Sequence, residues 1–206
     1  MSNPITPPAP LDPNSLQGQL LIAMPSLDDP NFDHSVIYVC QHDEDSAMGL
    51  VLNHPIRGLD FGRMLDELGI EMTDGERATQ KIFNGGPVQN DRGFVLHSLD
   101  YCLKDITLRL TRDGEPAPVS GLGLTATRDI LVDLSKGEGP QDAVIALGYA
   151  GWTAGQLEEE IRQNVWLIAP ADKAIIFTNT PERMWEKALS SLGISQEHLS
   201  TQSGTA

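Results

Sequence analysis

The stretch AVIALGYAGWTAGQLEEEIR, residues 143–162, sets a strand, a joint and a helix next to one another. Ala143–Leu147 is a short unbroken apolar run, the pattern of a buried strand. Gly148, Gly151 and Gly155 then interrupt the chain with residues that permit positive φ or close backbone approach. Thr153 and Gln156 stand at capping-box spacing ahead of Leu157 and Ile161, so a helix begins near Gln156. Glu158 to Glu160 fall in its first turns, where negative charge suits the helix dipole, and Glu158 reaches Arg162 four residues on. Similar strand runs occur at Gln19–Ala23, Val36–Gln41, Ala47–Leu52, Phe94–His97, Ile106–Leu110, Val165–Ile168 and Ala174–Phe177, bounded by Gly, Pro, Asp or Asn. Asp60 caps an apolar stripe of Phe61, Met64, Leu65 and Leu68 that Gly69 closes. A further helix is expected from Thr180-Pro181 through Leu192, and a weaker one over residues 128–134. Strands in runs, rather than in strict alternation with helices, indicate an α+β fold.

The 206 residues carry 14 Lys and Arg against 29 Asp and Glu, a net charge of −15. Such a surface repels phosphate backbones and anionic lipid. No two basic residues are adjacent, and none cluster with aromatics that could stack bases, so nucleic-acid binding is disfavoured. Cys40 and Cys102 are too few for a disulfide scaffold. No signal peptide or membrane-spanning run is present, and a cytoplasmic protein is expected. The Pro-rich residues 1–17 and the polar residues 195–206 read as flexible tails on one domain spanning 18–194.

Known catalytic signatures are missing: no GxxxxGK[ST], HExxH, GxSxG or CxxC. Gly121-x-Gly123-x-x-Ala126 matches a loose dinucleotide fingerprint but lacks the strand immediately before it and reads as extended itself. Cys40 and His42 alternate onto one strand face, yet only that half of a metal site is visible, so no metal or other cofactor is expected.

Three glycine-rich segments stand out: Leu20 through Met24-Pro25-Ser26-Leu27 to His34-Ser35; Asn84-Gly85-Gly86-Pro87-Val88 followed by Asp91-Arg92-Gly93; and Gly148-Tyr149-Ala150-Gly151-Trp152-x-x-Gly155-Gln156. Two readings apply. The glycines let a sheet bend while Tyr149 and Trp152 fill core. Alternatively Asn53, Gly85, Gly86, Arg92, His97, Tyr149, Gly151, Trp152 and Gln156 form a ligand site, with Arg92 and the helix start near Gln156 facing an anion.

These segments, with Ala47-Met48-Gly49-Leu50-Val51-Leu52-Asn53-x-Pro55, resemble the AlgH/YqgE family of bacterial proteins from about Gly18 to Gly193. The resemblance implies a bifurcated, mostly antiparallel sheet curled into a pseudo-barrel with helices outside, in a bacterial cytoplasmic protein. The family's designation as a transcriptional regulator linked to alginate production names a genetic effect and supplies no reaction, ligand or catalytic residue. The leading expectation is a non-enzymatic regulatory or binding protein that acts through a small anionic ligand or a protein partner. A hydrolase or transferase with His97 as general base near Gly85-Gly86 is the enzymatic alternative. Direct DNA binding is the third, opposed by the charge.

Overall fold

Strands β1 (Gln19–Ala23) and β2 (Val36–His42) are apolar at almost every position because both of their faces are covered. They belong to a ten-stranded sheet in a computed structural model that describes residues 15–110 and 121–195. β3 (Ser46–Val51), β4 (Pro55–Asp60), α1 (Phe61–Leu68), β5 (Lys81–Asn84) and β6 (Val88–Ser98) follow, then β7 (Leu108–Leu110) and β8 (Leu122–Thr125). The chain continues through α2 (Arg128–Ser135), β9 (Ala143–Thr153), α3 (Gln156–Arg162), β10 (Trp166–Pro170), α4 (Lys173–Ile176) and α5 (Met184–Ser191).

The eleven-residue β9 is where the sheet forks. Its first half pairs antiparallel with β6, Phe94 opposite Ala146, and parallel with β5, Ile82 opposite Ile145. Its second half pairs antiparallel with β3, Gly49 opposite Ala150, and leads on through β2 and β1 to β10. Apart from β5–β9 every pairing is antiparallel. The result is a half-barrel with helices around it, as the family resemblance implied.

Glycine makes the fork possible. Gly148 has φ +73°, and Gly86 has φ +145°. A methyl group on Gly86 would lie 2.2 Å from the Tyr149 carbonyl carbon and 2.3 Å from the Ala150 nitrogen. Between the branches, Gly85 accepts from Val51 N–H at 2.9 Å and donates to the Leu147 carbonyl at 2.8 Å.

Three apolar clusters sandwich the sheet. Inside the curl, Leu20, Tyr38, Leu50, Phe94, Leu96 and Ala146 meet Ile176, Trp185 and Leu189 from α4 and α5. The Trp185 indole also donates to the Ala23 carbonyl at 2.8 Å, fixing α5 on β1. Outside the first branch, Ile37, Val39, Val51, Trp152, Leu157 and Trp166 pack beneath α3. Outside the second, Phe61, Leu65, Ile82, Val95, Ile130 and Ile145 pack beneath α1 and α2.

Local signals and structure part company at several points. Asp60 does cap α1, accepting from Arg63 N–H, and Gly69 ends it in the left-handed region at φ 64°. Ala174–Phe177, expected as a strand, lies largely in α4, started by Asp172 accepting from Ala174 N–H; four apolar residues cannot tell helix from strand, and the cap decides. β4 and β5 were not anticipated: β4 is largely exposed, and β5 has only four residues. Gly148 to Thr153, expected as a joint between strand and helix, continues β9. Thr180 makes no side-chain cap bond; its hydroxyl meets Thr178 Oγ1 at 3.1 Å and Lys187 Nζ at 2.8 Å. Residues 15–17, assigned by sequence to the tail, are tied to β2, with Ser15 Oγ donating to the His42 carbonyl and Leu16 N–H to His42 Nδ1, both at 3.0 Å. The rest of both expected tails, 1–14 and 196–206, lies outside the described residues.

Candidate functional site

The residues singled out by sequence fall into three separate places. Gly85 and Gly86 press against Gly148 and Tyr149 at the fork. Tyr149 packs edge-on against Phe94, with ring centroids 5.8 Å apart, and the Arg92 guanidinium sits 5.2 Å from the Phe94 ring centre. Asn53 pins the start of β2 nearby, its Oδ1 accepting from Val36 N–H and its Nδ2 donating to the His34 carbonyl, each at 2.8 Å. Trp152 and Gln156 belong to the opposite face. Glu160 there accepts from both indoles, Trp152 at 2.8 Å and Trp166 at 2.7 Å, and from Gln156 Nε2 at 2.9 Å. Gln156 also accepts from Thr153 N–H at 3.1 Å, but the residue that caps α3 is Gly155 at φ 72°, with no side-chain cap bond, so the expected capping box does not form. Gly151 is exposed on β9 opposite Met48. Arg92 therefore does not share a face with the start of α3.

His97 is alone and fully enclosed, 0% exposed. Its Nδ1 lies 2.9 Å from the Ser98 carbonyl, which can only accept, so Nδ1 carries the hydrogen. Nε2 then accepts from Thr125 Oγ1 at 2.9 Å, Thr125 from Thr107 at 2.8 Å, and Thr107 from Leu103 N–H at 3.0 Å. Burial lowers the His97 pKa and keeps the ring neutral. Gly123, half of the dinucleotide-like pattern, makes room for this ring: a methyl there would sit 2.7 Å from His97 Cε1. A base that substrate cannot reach does no general-base chemistry, and His97 serves as a core hydrogen-bonding residue.

Cys40 and His42 also separate. Cys40 is buried, which pushes its thiol up to about 12, whereas His42 Nε2 meets Glu158 at 2.7 Å. Among the described residues no group of three His, Cys, Asp or Glu side chains could hold a metal ion. None of their helices is long and apolar enough to cross a membrane.

Among the described residues, one open cleft of about 480 Å³ lies over Pro170, Lys173 and Ser191 beyond the end of β10, and two more reach the sheet. One, of about 290 Å³, lies between β5 and the segment from α4 to α5. The Lys81–Glu182 ion pair stands beside it at 3.4 Å, and Lys187 donates to Thr178 and Thr180, both at 2.8 Å. The other, of about 340 Å³, opens between α1 and the start of α2. Val95, Ile145 and Leu147 form its floor, Met64 and Leu68 one wall, and Thr127 and Leu131 the other. At its edge Arg128 ties the two helices by donating to the Leu68 carbonyl at 2.8 Å. Thr127 is the N-cap residue of α2 but makes no cap bond, and its Oγ1 is buried without a partner. A buried hydroxyl left unpaired costs about 1–3 kcal/mol. None of the nine ligand-site candidates lines this cleft, although Asp91 and Gly93 from the second glycine-rich segment do. The one local hint was Thr127 before the weak helical stripe.

Relatives share this architecture along nearly their whole length. A UPF0301 protein of Caulobacter vibrioides is 44% identical over 197 residues, covering 95% of this chain and 96% of its own. A UPF0301 protein of Beijerinckia indica is 47% identical, covering 93% and 92%. The solution structure of the AlgH protein from Pseudomonas aeruginosa superposes with a TM-score of 0.72 at 40% identity, covering 96% of this chain and all of that one. A crystal structure from Corynebacterium diphtheriae, 20% identical with a TM-score of 0.63, shares the fold. Residues 20–197 match the family described as DUF179, AlgH-like, and the chain belongs to that family.

Proposed function

We propose that this is a non-catalytic regulatory protein of the bacterial cytoplasm that senses a small molecule in the cleft between α1 and α2. The observation that carries this reading is the cleft itself, a volume of about 340 Å³ with core aliphatic side chains as its floor. Ligand pockets run from roughly 300 to 1,000 Å³ and combine apolar walls with a few polar groups, and this cleft lies at the small end. Val95 and Ile145 are 2% and 1% exposed, so the floor is rigid core rather than a loop that must be ordered on binding. Exposed Glu67, Asp91 and Arg128 at its rim offer the polar contacts. The enclosure of His97 speaks against catalysis at the histidine that sequence proposed, and two free thiols suit a reducing compartment.

Octanol titrated into the isotopically labelled full chain provides the test. Amide signals of Met64, Thr127 and Leu131 should shift progressively, and Leu131→Trp, which plugs the cleft from a half-buried position, should abolish the response. No shift in the wild type, or the same shift in Leu131→Trp, would overturn the reading.

A further inference from the structure

The cleft's apolar floor does not by itself choose between an acid, an alcohol and an amine; its rim does. Glu67 of α1 and Asp91 of β6 both line it, both exposed, and Arg128 is the one cation lining it among the described residues. The Arg128 guanidinium is engaged in part, since Nη2 holds the Leu68 carbonyl. The positive end of α2, which would favour an anion, has Asp129 in its first turn. The lining side chains therefore sum to −1, on a protein whose total is −15. A carboxylate entering here meets two like charges against the one opposite charge of Arg128, whereas for an ammonium the balance is reversed. The Thr127 hydroxyl can donate as well as accept, so the choice among these heads rests on the rim charges.

From these features we infer that the cleft takes a small apolar amine, its hydrocarbon part on Leu131, Ile145 and Leu147 and its protonated nitrogen at the carboxylate rim. This rests on the binding role proposed for the same cleft and replaces the anion expected from sequence with a ligand of opposite charge. Partly exposed charge pairs act weakly, so the preference is modest and salt-sensitive.

The experiment is calorimetric titration of the full chain at low salt with octylamine, octanol and octanoate, which share a tail and differ in head. Octylamine should bind roughly fivefold more tightly than octanol, and octanoate more weakly than either. Exposed Glu67→Gln and Asp91→Asn together should bring octylamine and octanol to equal affinity. Raised salt should do the same. If octanol binds as tightly as octylamine, or octanoate most tightly, the amine inference falls and the binding role stands. An octylamine preference that persists in Glu67→Gln/Asp91→Asn would also overturn it. If none of the three binds, both readings fall.

Discussion

The outer faces of the two branches are built alike, a strand layer under short helices, yet one is sealed and the other is open. Beneath α3 the indoles of Trp152 and Trp166 meet edge-on at 6.1 Å, and Glu160 accepts from both, so bulk and hydrogen bonding together close the surface. Beneath α1 and α2 the packing is mostly aliphatic apart from Phe61, and among the described residues Arg128 straps the two helices at one edge. Side chains spaced for helix packing leave a gap there of about 340 Å³. The contrast separates residues that complete the core from residues that leave room for something else.

The largest effect should come at the fork that holds both faces apart. Gly86→Ala places a methyl against backbone atoms that cannot rotate away, at a φ that alanine avoids, and should cost more than about 4 kcal/mol or prevent folding. Gly155→Ala, at φ +72° with open space around it, should lose only about 1 kcal/mol in urea denaturation. Equal losses would show that clash at the crossing is not what Gly86 avoids.

Next comes the sealed face. Trp152→Ala removes a 6%-exposed indole and should destabilise by about 3–5 kcal/mol, whereas Leu131→Ala on the open face should cost about 1 kcal/mol because its contacts are already incomplete. Similar urea midpoints for the two would erase the distinction between the faces.

Smallest is Thr127→Val. A side chain that makes no cap bond loses none, and removal of an unpaired buried hydroxyl should stabilise the protein by about 1 kcal/mol in the same assay. A loss of stability instead would mean that the hydroxyl has a partner, such as a bound water, in solution.

Much of the architecture was legible where a signal is local. Asp60 and Gly69 bracket α1 because a cap and a left-handed glycine act on their own neighbours. β1 was readable to the residue, since an apolar run between Gly18 and Pro25 has little else to become. Gly86 and Gly148 were visible as unusual, but what they touch is each other's strand, some sixty residues away, and one sequence does not state that pairing. The site was less legible still. Aromatic and polar residues drew attention to Trp152, Gln156 and Arg92, of which Arg92 lies on a different face from the other two. The cleft's floor and walls are ordinary Leu, Ile, Val and Met positions distinguished by what fails to cover them, and its charged rim residues look like any exposed surface. A gap between helices is a tertiary property, and no periodicity encodes it.

The pairing of β10 with β1 carries a consequence for synthesis in the cell. Gln19 lies opposite Pro170, a separation of 170 − 19 = 151 residues. At about 5–20 residues per second, a ribosome needs roughly 8–30 s between delivering the first of these strands and the second. Throughout that interval the outer edge of an apolar strand has no native neighbour, the condition under which nascent chains stick to one another or recruit a chaperone. A hydrogen-bond partnership between strands 151 residues apart, 170 − 19 = 151, makes this a protein in which β1 gains its second neighbour only after β10 has been made.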